Sequence, residues 1–123
     1  YLLRNGRLRA LTDDHSIVAE LVRRQQISEE DAREHPHRHV LTRALGIRAE
    51  TEADLAEMTP QPGDVFVLCT DGLNGHVDDA EIAERVAGAE DLEGAAERLV
   101  ESANRAGGLD NTTVVLIRYE KEA

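Results

Sequence analysis

The sequence predicts an α+β fold, and three observations carry that prediction. Two short extended runs at the start of the chain flank Asn5-Gly6. This pair favours the tightest β-hairpin turn, whose two central positions both need a positive φ. Two apolar runs, Val65–Cys69 and residues 112–119, have the composition of strands. Elsewhere, apolar residues recur at helical spacing, most regularly over residues 92–103.

In chain order the hairpin comes first, and a strand starting at residue 1 is expected to have a further neighbour upstream. Asp13, Asp14 and Ser16 are candidate N-caps for a helix running to Gln25 or Gln26, with Ile17, Val18, Leu21 and Val22 as its apolar face. Ser28, followed by Glu29, Glu30 and Asp31, caps a short second helix whose acidic first turn suits the helix dipole. His35-Pro36 ends that helix, because proline biases the residue before it away from helical angles. Residues 40–45 are ambiguous, residues 48–58 are expected as an extended, weakly apolar strand, and Pro60 to Asp64 form a turn. The unbroken run Val65–Cys69 reads as a strand buried on both faces. Asp78 and Glu81 match a capping box ahead of Ile82, Ala83 and Val86. Asp91 opens a helix whose Leu92, Ala95, Ala96, Leu99, Val100 and Ala103 share a face, and Gly107-Gly108 stops it. Residues 120–123 are expected to fray.

The 123 residues amount to one domain, with 25 acidic against 14 basic side chains and a formal charge of −11. No basic stripe is present for nucleic acid, and an anionic membrane surface would repel the chain. No apolar run approaches the ~20 residues of a membrane helix, and Leu2-Leu3 is followed at once by Arg4, unlike a signal peptide. Cys69, the single cysteine, allows no internal disulfide and fits a reducing compartment, so a cytoplasmic location is expected. Tyr1, Phe66 and Tyr119 are the only aromatics, which leaves the core to Leu, Val, Ile and Ala. The chain opens on Tyr1 rather than Met, and inside a strand, as expected of part of a longer domain.

Two aspartates stand out by position. Asp71 follows the apolar strand Val65–Cys69, and Asp110 precedes the last strand, with two helices between them. If the two strands are antiparallel neighbours, both carboxylates arrive at one edge of the sheet. There they would repel unless a cation lay between them, and a hard cation such as Mg²⁺ takes oxygen ligands together with water. Gly72 permits a close backbone approach after Asp71, and Asn111 is placed to hydrogen-bond a ligating carboxylate. On spacing alone, the commoner reading is a plain Asp-Gly turn and an ordinary loop aspartate.

Leu68-Cys69-Thr70-Asp71-Gly72-Leu73 resembles the LCSDGL segment of the metal-dependent protein phosphatases, the PPM or type 2C family. Gly107-Gly108-Leu109-Asp110-Asn111-Thr112-Thr113-Val114-Val115 resembles its GGxDNxTVV. The hairpin with Thr12-Asp13-Asp14-His15-Ser16 resembles the family's hairpin and LTxDHS. His35-Pro36 and Leu41-Thr42-Arg43-Ala44-Leu45-Gly46 resemble the bacterial HPxRNxLTRALG, and Pro62-Gly63-Asp64 resembles its PGD. The segments occur in family order and span nearly the whole chain.

This resemblance implies part of an α-β-β-α sandwich, antiparallel sheets flanked by helices, with the N-terminal half missing. Residues 1–123 would be the C-terminal portion of the phosphatase domain, with a flap-like segment at about 16–45. It implies hydrolysis of phosphoserine and phosphothreonine in proteins by a water activated between two Mn²⁺ or Mg²⁺ ions, with a third ion in bacterial members. Asp71 and Asp110 match metal ligands, supported by Gly72 and Asn111, while His35, Arg38 and Arg43 belong to the flap beside the substrate. Beyond the metal ligands no catalytic side chain is implied. The family's bridging aspartate, its metal-binding glycine carbonyl and its phosphate-binding arginine lie upstream of Tyr1, so this chain alone is expected to be inactive. The implied partners are phosphorylated substrates of Ser/Thr kinases and the missing half of its own domain. Neither nucleic acid nor a membrane contact is expected for this segment.

Other features have plainer readings. His35, His37 and His39 alternate as a metal cluster would, but Pro36 intervenes and a polar loop is the simpler account; His39 also stands where the family has Asn. Arg43 either binds phosphate or pairs with an acid in or near the flap. Two alternatives remain open: a non-catalytic interaction module or pseudophosphatase, and a related phosphatase acting on anti-sigma-factor antagonists.

Overall fold

A computed structural model describes residues 1–122. In chain order its elements are β1 (Leu2–Arg4), β2 (Arg7–Arg9), α1 (Ile17–Arg23), α2 (Glu29–Glu34), β3 (Val65–Cys69), α3 (Asp71–Asn74), α4 (Asp79–Val86), α5 (Leu92–Arg105) and β4 (Val114–Arg118). They fall into two compact units, one formed by Tyr1–Leu11 with Thr59–Ala123, the other by Thr12–Met58.

The first unit is built on the hairpin. Asn5 and Gly6 take φ of 52° and 74°, as a type I′ turn demands, and fold β1 back onto β2. The sheet is antiparallel throughout, in the order β2-β1-β3-β4. β1 is therefore an interior strand with neighbours on both edges, and the neighbour expected upstream is supplied instead by distant β3. Tyr1 N donates to Val67 O at 2.8 Å and Val67 N to Tyr1 O at 2.9 Å, extending the ladder past Leu2. β3 and β4 pair over five rungs, from Val65 opposite Arg118 to Cys69 opposite Val114.

Strand alternation sends Leu3, Val65 and Val67 to one face, where they pack with Leu73 and Val77, with Ile82 and Val86 of α4, and with Leu99 and Ala103 of α5. Ile82 and Leu99 are 0 % exposed, and burial of each contributes about 1.5–3 kcal/mol. On the opposite face Phe66 lies across from Ile117, and Leu68 across from Val115. Leu68, Val115 and Ile117 are 52 %, 47 % and 50 % exposed, so β3 is buried on one face only. The sequence reads a strand buried on both faces; within this chain the helices stack on a single side and cover only one of them.

The ends of α5 follow the sequence, and the start of α4 does not. Asp91 caps α5 by accepting from Glu93 N and Gly94 N at 3.0 Å, and Gly107 and Gly108, at φ of 124° and 58°, end it. At α4 the N-cap is Asp78, but its side chain makes no capping bond. Glu81 instead accepts from the buried Ser102 hydroxyl at 2.7 Å and from Arg85 at 3.2 Å, which holds its pKa below the ordinary value. A buried hydroxyl needs a partner, and that need turns the expected capping box into a tie between α4 and α5.

At the far end of β3, Asp64 is 1 % exposed. Arg4 grips it bidentately, Nε to Oδ1 at 2.8 Å and a terminal nitrogen to Oδ2 at 2.6 Å. Gln61 N also donates to Oδ2, at 2.8 Å. Tyr119 N and Gly63 N exchange bonds with Asp64 O and Tyr119 O, joining the turn to the end of β4.

In the unit Thr12–Met58, Ser16 wins the capping contest with Asp13 and Asp14, accepting from Ala19 N at 3.2 Å. α1 ends at Arg23, and Gln25 turns left-handed at φ 57°. Ser28 and Asp31 form a reciprocal capping box on α2. An isolated bridge joins Ser16 to Leu41, flanked by Ile17 N to Val40 O at 3.0 Å and Thr42 N to His15 O at 2.8 Å. No strand forms over residues 48–58. Leu55 is 92 % exposed there, and Asp54 is taken by two side chains: His15 Nε2 at 2.6 Å and Arg43 at 2.8 Å. Arg43 chiefly, then His15, lower the Asp54 pKa.

The Arg4–Asp64 pair sets an acid limit. Its hydrogen bonds hold the Asp64 pKa at about 2, against 3.8 for the free side chain. A depressed folded pKa contributes stability above the unfolded value, and that stability is lost as pH falls through the window between the two. The urea midpoint should therefore hold near neutral pH and fall between about pH 4 and pH 2. Asp64→Asn should lower the midpoint at neutral pH and flatten the acid fall, whereas parallel acid slopes would remove Asp64 as the source.

Candidate functional site

The site forms where β3 stops. Thr70 is the N-cap of α3, so the chain turns from strand to helix between Cys69 and Asp71. Across the sheet, Val114 pairs with Cys69. Past that last rung, Thr70 N donates to Thr113 O at 3.1 Å and Thr113 N donates to Thr70 Oγ1 at 3.0 Å. Thr70 Oγ1 in turn donates to Asn111 O at 3.3 Å. The segment carrying Asp110 and Asn111 is thereby brought against the turn carrying Asp71 and Gly72.

Gly72 is buried in this junction. A Cβ there would lie 2.1 Å from Asn111 O and 2.8 Å from Thr112 Oγ1, closer than any side-chain carbon tolerates. Asn111 contributes through its backbone, since its N–H donates to Asp110 Oδ1 at 2.7 Å and orients that carboxylate. Asp71 O accepts from Gly75 N at 2.9 Å, closing the single turn of α3, and Asn74 Nδ2 donates to Tyr1 Oη at 3.0 Å. Asp71 and Asp110 are both exposed. Their carboxylates are hard oxygen donors on two segments held in register, a donor type suited to Mg²⁺ or Mn²⁺. Among the described residues no group of three or more His, Cys, Asp or Glu side chains converges as a metal site. Two carboxylates leave the other positions of an octahedral ion to water or further oxygen donors.

His35, Arg38 and Arg43 lie in the unit Thr12–Met58. His35 follows α2, with Nδ1 accepting from His37 N at 3.1 Å and its carbonyl accepting from Arg38 N at 3.1 Å. The His35 and His37 rings stand 5.7 Å apart and tilted, while Arg43 pairs with Asp54. Thr70 was not singled out from sequence, although a hydroxyl residue between a strand and an Asp-Gly helix start is a visible signal.

The chain matches known proteins over almost its whole length. Residues 8–120 match the family described as Stage II sporulation protein E (SpoIIE). The chain is 43% identical over 117 residues to the serine/threonine phosphatase stp of Listeria innocua, covering 95% of this chain and 46% of that protein. Its fold matches the crystal structure of the Mycobacterium tuberculosis serine/threonine phosphatase PstP/Ppp with a TM-score of 0.91 and 40% identity, covering 98% of this chain and 51% of that one. A structure of the PstP catalytic domain in complex with two manganese ions matches with a TM-score of 0.83 and 40% identity, over 94% and 47% of the two chains. The chain thus spans about half the length of the curated relatives it matches.

Gly72→Ala tests the junction. At an open helical position the change should stabilise by up to about 1 kcal/mol. Here the added methyl meets Asn111 O, and overpacking of this kind costs about 1–3 kcal/mol. The variant should show a net loss in urea unfolding, together with shifted Asn111 and Thr112 amide resonances. A gain in stability would show that the two segments do not touch.

Proposed function

Since the chain belongs to the SpoIIE/PP2C-type family of metal-dependent protein phosphatases, we propose that the protein carrying it hydrolyses phosphoserine and phosphothreonine in proteins and that Asp71 and Asp110 are metal ligands. The observation that carries this reading is the junction itself, in which Thr70, Gly72 and Asn111 hold two acidic segments together at one end of β3 and β4. Nothing in packing calls for two carboxylates there, and a shared cation gives them a purpose.

Asp71 and Asp110 would hold Mn²⁺ or Mg²⁺, two ions in the complete centre and a third where bacterial relatives have one. When bound, such ions lower the pKa of water and neutralise charge on phosphoryl oxygens. The residues of this chain position and orient. Asn111 N–H fixes the Asp110 carboxylate, and Gly72 lets the backbone just after Asp71 close against Asn111. The reaction consumes one water, breaks the phosphate ester bond, and releases the Ser or Thr hydroxyl and inorganic phosphate. The flap of this reading is the segment at about 16–45 within the unit Thr12–Met58, with His35, Arg38 and Arg43 flanking the substrate. The half-exposed apolar sheet face around Leu68, Val115 and Ile117 is where the second sheet of the sandwich packs. Phosphoprotein targets of cytoplasmic Ser/Thr kinases are the partners. Among the described residues no helix is long and apolar enough to cross a membrane.

The test is turnover of a phosphothreonine peptide, with Mn²⁺ titration, in the full-length protein. Asp71→Ala and Asp110→Ala should each reduce activity by at least the ~10–100-fold typical of losing a residue that merely supports a ligand. The double variant should lose little more, because both changes disable one centre. Circular dichroism should report a retained fold. Near-wild-type turnover of either variant at limiting metal would remove that residue from the site, and turnover confined to a phosphorylated anti-sigma-factor antagonist would favour the related phosphatase. The 123 residues alone should bind Mn²⁺ weakly and turn over little, since they supply only two of the carboxylates.

A further inference from the structure

We infer that the Thr70 hydroxyl is a positioning residue for the metal site, setting the separation of the Asp71 and Asp110 carboxylates; this rests on the reading of those two residues as ligands. A threonine at a helix N-cap ordinarily spends its oxygen on the backbone N–H two or three residues ahead. Thr70 is the N-cap of α3 and makes no such bond. Its Oγ1 is turned across the sheet, accepting from Thr113 N at 3.0 Å and donating to Asn111 O at 3.3 Å. One hydroxyl thus bonds the segment that leads from Asp110 into β4 and the carbonyl of the residue next to Asp110.

Three contacts converge on Asn111. Its carbonyl takes the Thr70 hydroxyl and abuts Gly72, while its N–H holds Asp110 Oδ1 at 2.7 Å. Thr70 is bonded to Asp71 through the chain, and Asn111 to Asp110. The hydroxyl therefore closes a short ring through Asp71, Gly72 and Asn111, to which Asp110 is attached, and losing it loosens the Asp110 segment without touching either carboxylate, leaving the backbone bond from Thr70 N to Thr113 O in place. Gly72 sets how closely the segments approach, and Thr70 sets their register.

The position also separates this role from a purely structural one. Thr70 is exposed and lies outside the buried cluster. Bonds from an exposed hydroxyl contribute little to global stability because water replaces them readily. With no capping bond to lose, Thr70→Val should leave α3 and the core in place.

The experiment compares wild type, Thr70→Val and Thr70→Ser in the full-length protein by Mn²⁺ calorimetry, thermal melting and steady-state kinetics. Thr70→Val should weaken Mn²⁺ binding about 10–100-fold, the range for a residue that orients a ligand. Its melting temperature should change little, and activity should recover at saturating Mn²⁺. Thr70→Ser keeps the hydroxyl and should restore affinity to near wild type. Wild-type affinity in Thr70→Val, or an equal loss in Thr70→Ser, would overturn the inference. A measurement on wild type needs no variant: Mg²⁺ should slow hydrogen exchange of the Thr113 amide, and an unchanged rate would also overturn it. Asp71→Asn and Asp110→Asn are run alongside. If both bind Mn²⁺ like wild type, the ligand reading has failed rather than the role of Thr70.

Discussion

The antiparallel pairing of β3 with β4 is the constraint on which the first unit depends. Its five rungs set one strand's end against the other's start, 45 positions apart at Cys69 and Val114. Because side chains alternate with a period of two, a slip of one residue would turn Val67 and Leu116 out of the core. The same slip would separate Thr70 from Thr113 and Asn111. Core packing and site geometry thus share one register, and the helices α3 to α5 are the connection that allows it.

The ends of this pair are held in different ways. At one end the bidentate Arg4–Asp64 contact, joined by Gln61 N, supplies donors to a buried carboxylate, while Tyr119 N bonds the Asp64 carbonyl. At the other end an exposed hydroxyl and a glycine do the holding. That difference suits their tasks. The buried pair anchors the hairpin turn to the sheet, whereas the exposed junction leaves its two carboxylates accessible.

The unit Thr12–Met58 is organised by polar contacts more than by burial. α1 and α2 contain no buried residue, and Leu41, Leu45, Ile47 and Leu55 are exposed. Order comes from the Ser16 and Ser28 caps, the Ser16–Leu41 bridge and the two ion pairs on Asp54. Exposed pairs of this kind are individually weak, which is the pattern expected of a segment whose shape is adjustable.

Local signals determined much of this protein. The hairpin at Asn5-Gly6, the caps at Ser16, Ser28 and Asp91, the stop at Gly107-Gly108 and the strand runs were all legible, because each depends on the φ preference or hydrogen-bonding reach of residues within a few positions. Strand order in the sequence brought the two aspartates toward one sheet edge, and the family motifs around them, rather than spacing, marked them as candidate metal ligands. What the tertiary structure decided lies in long-range contact. β1 became an interior strand, β3 kept one open face, Glu81 left its expected capping box for Ser102, residues 48–58 formed no strand, and Thr70 turned its hydroxyl away from its own helix. Each of these outcomes is a choice between a local partner and one more than ten positions away, or between pairing and exposure. A linear pattern carries the first option but not the second, because the distant partner's position exists only once β3 and β4 have met.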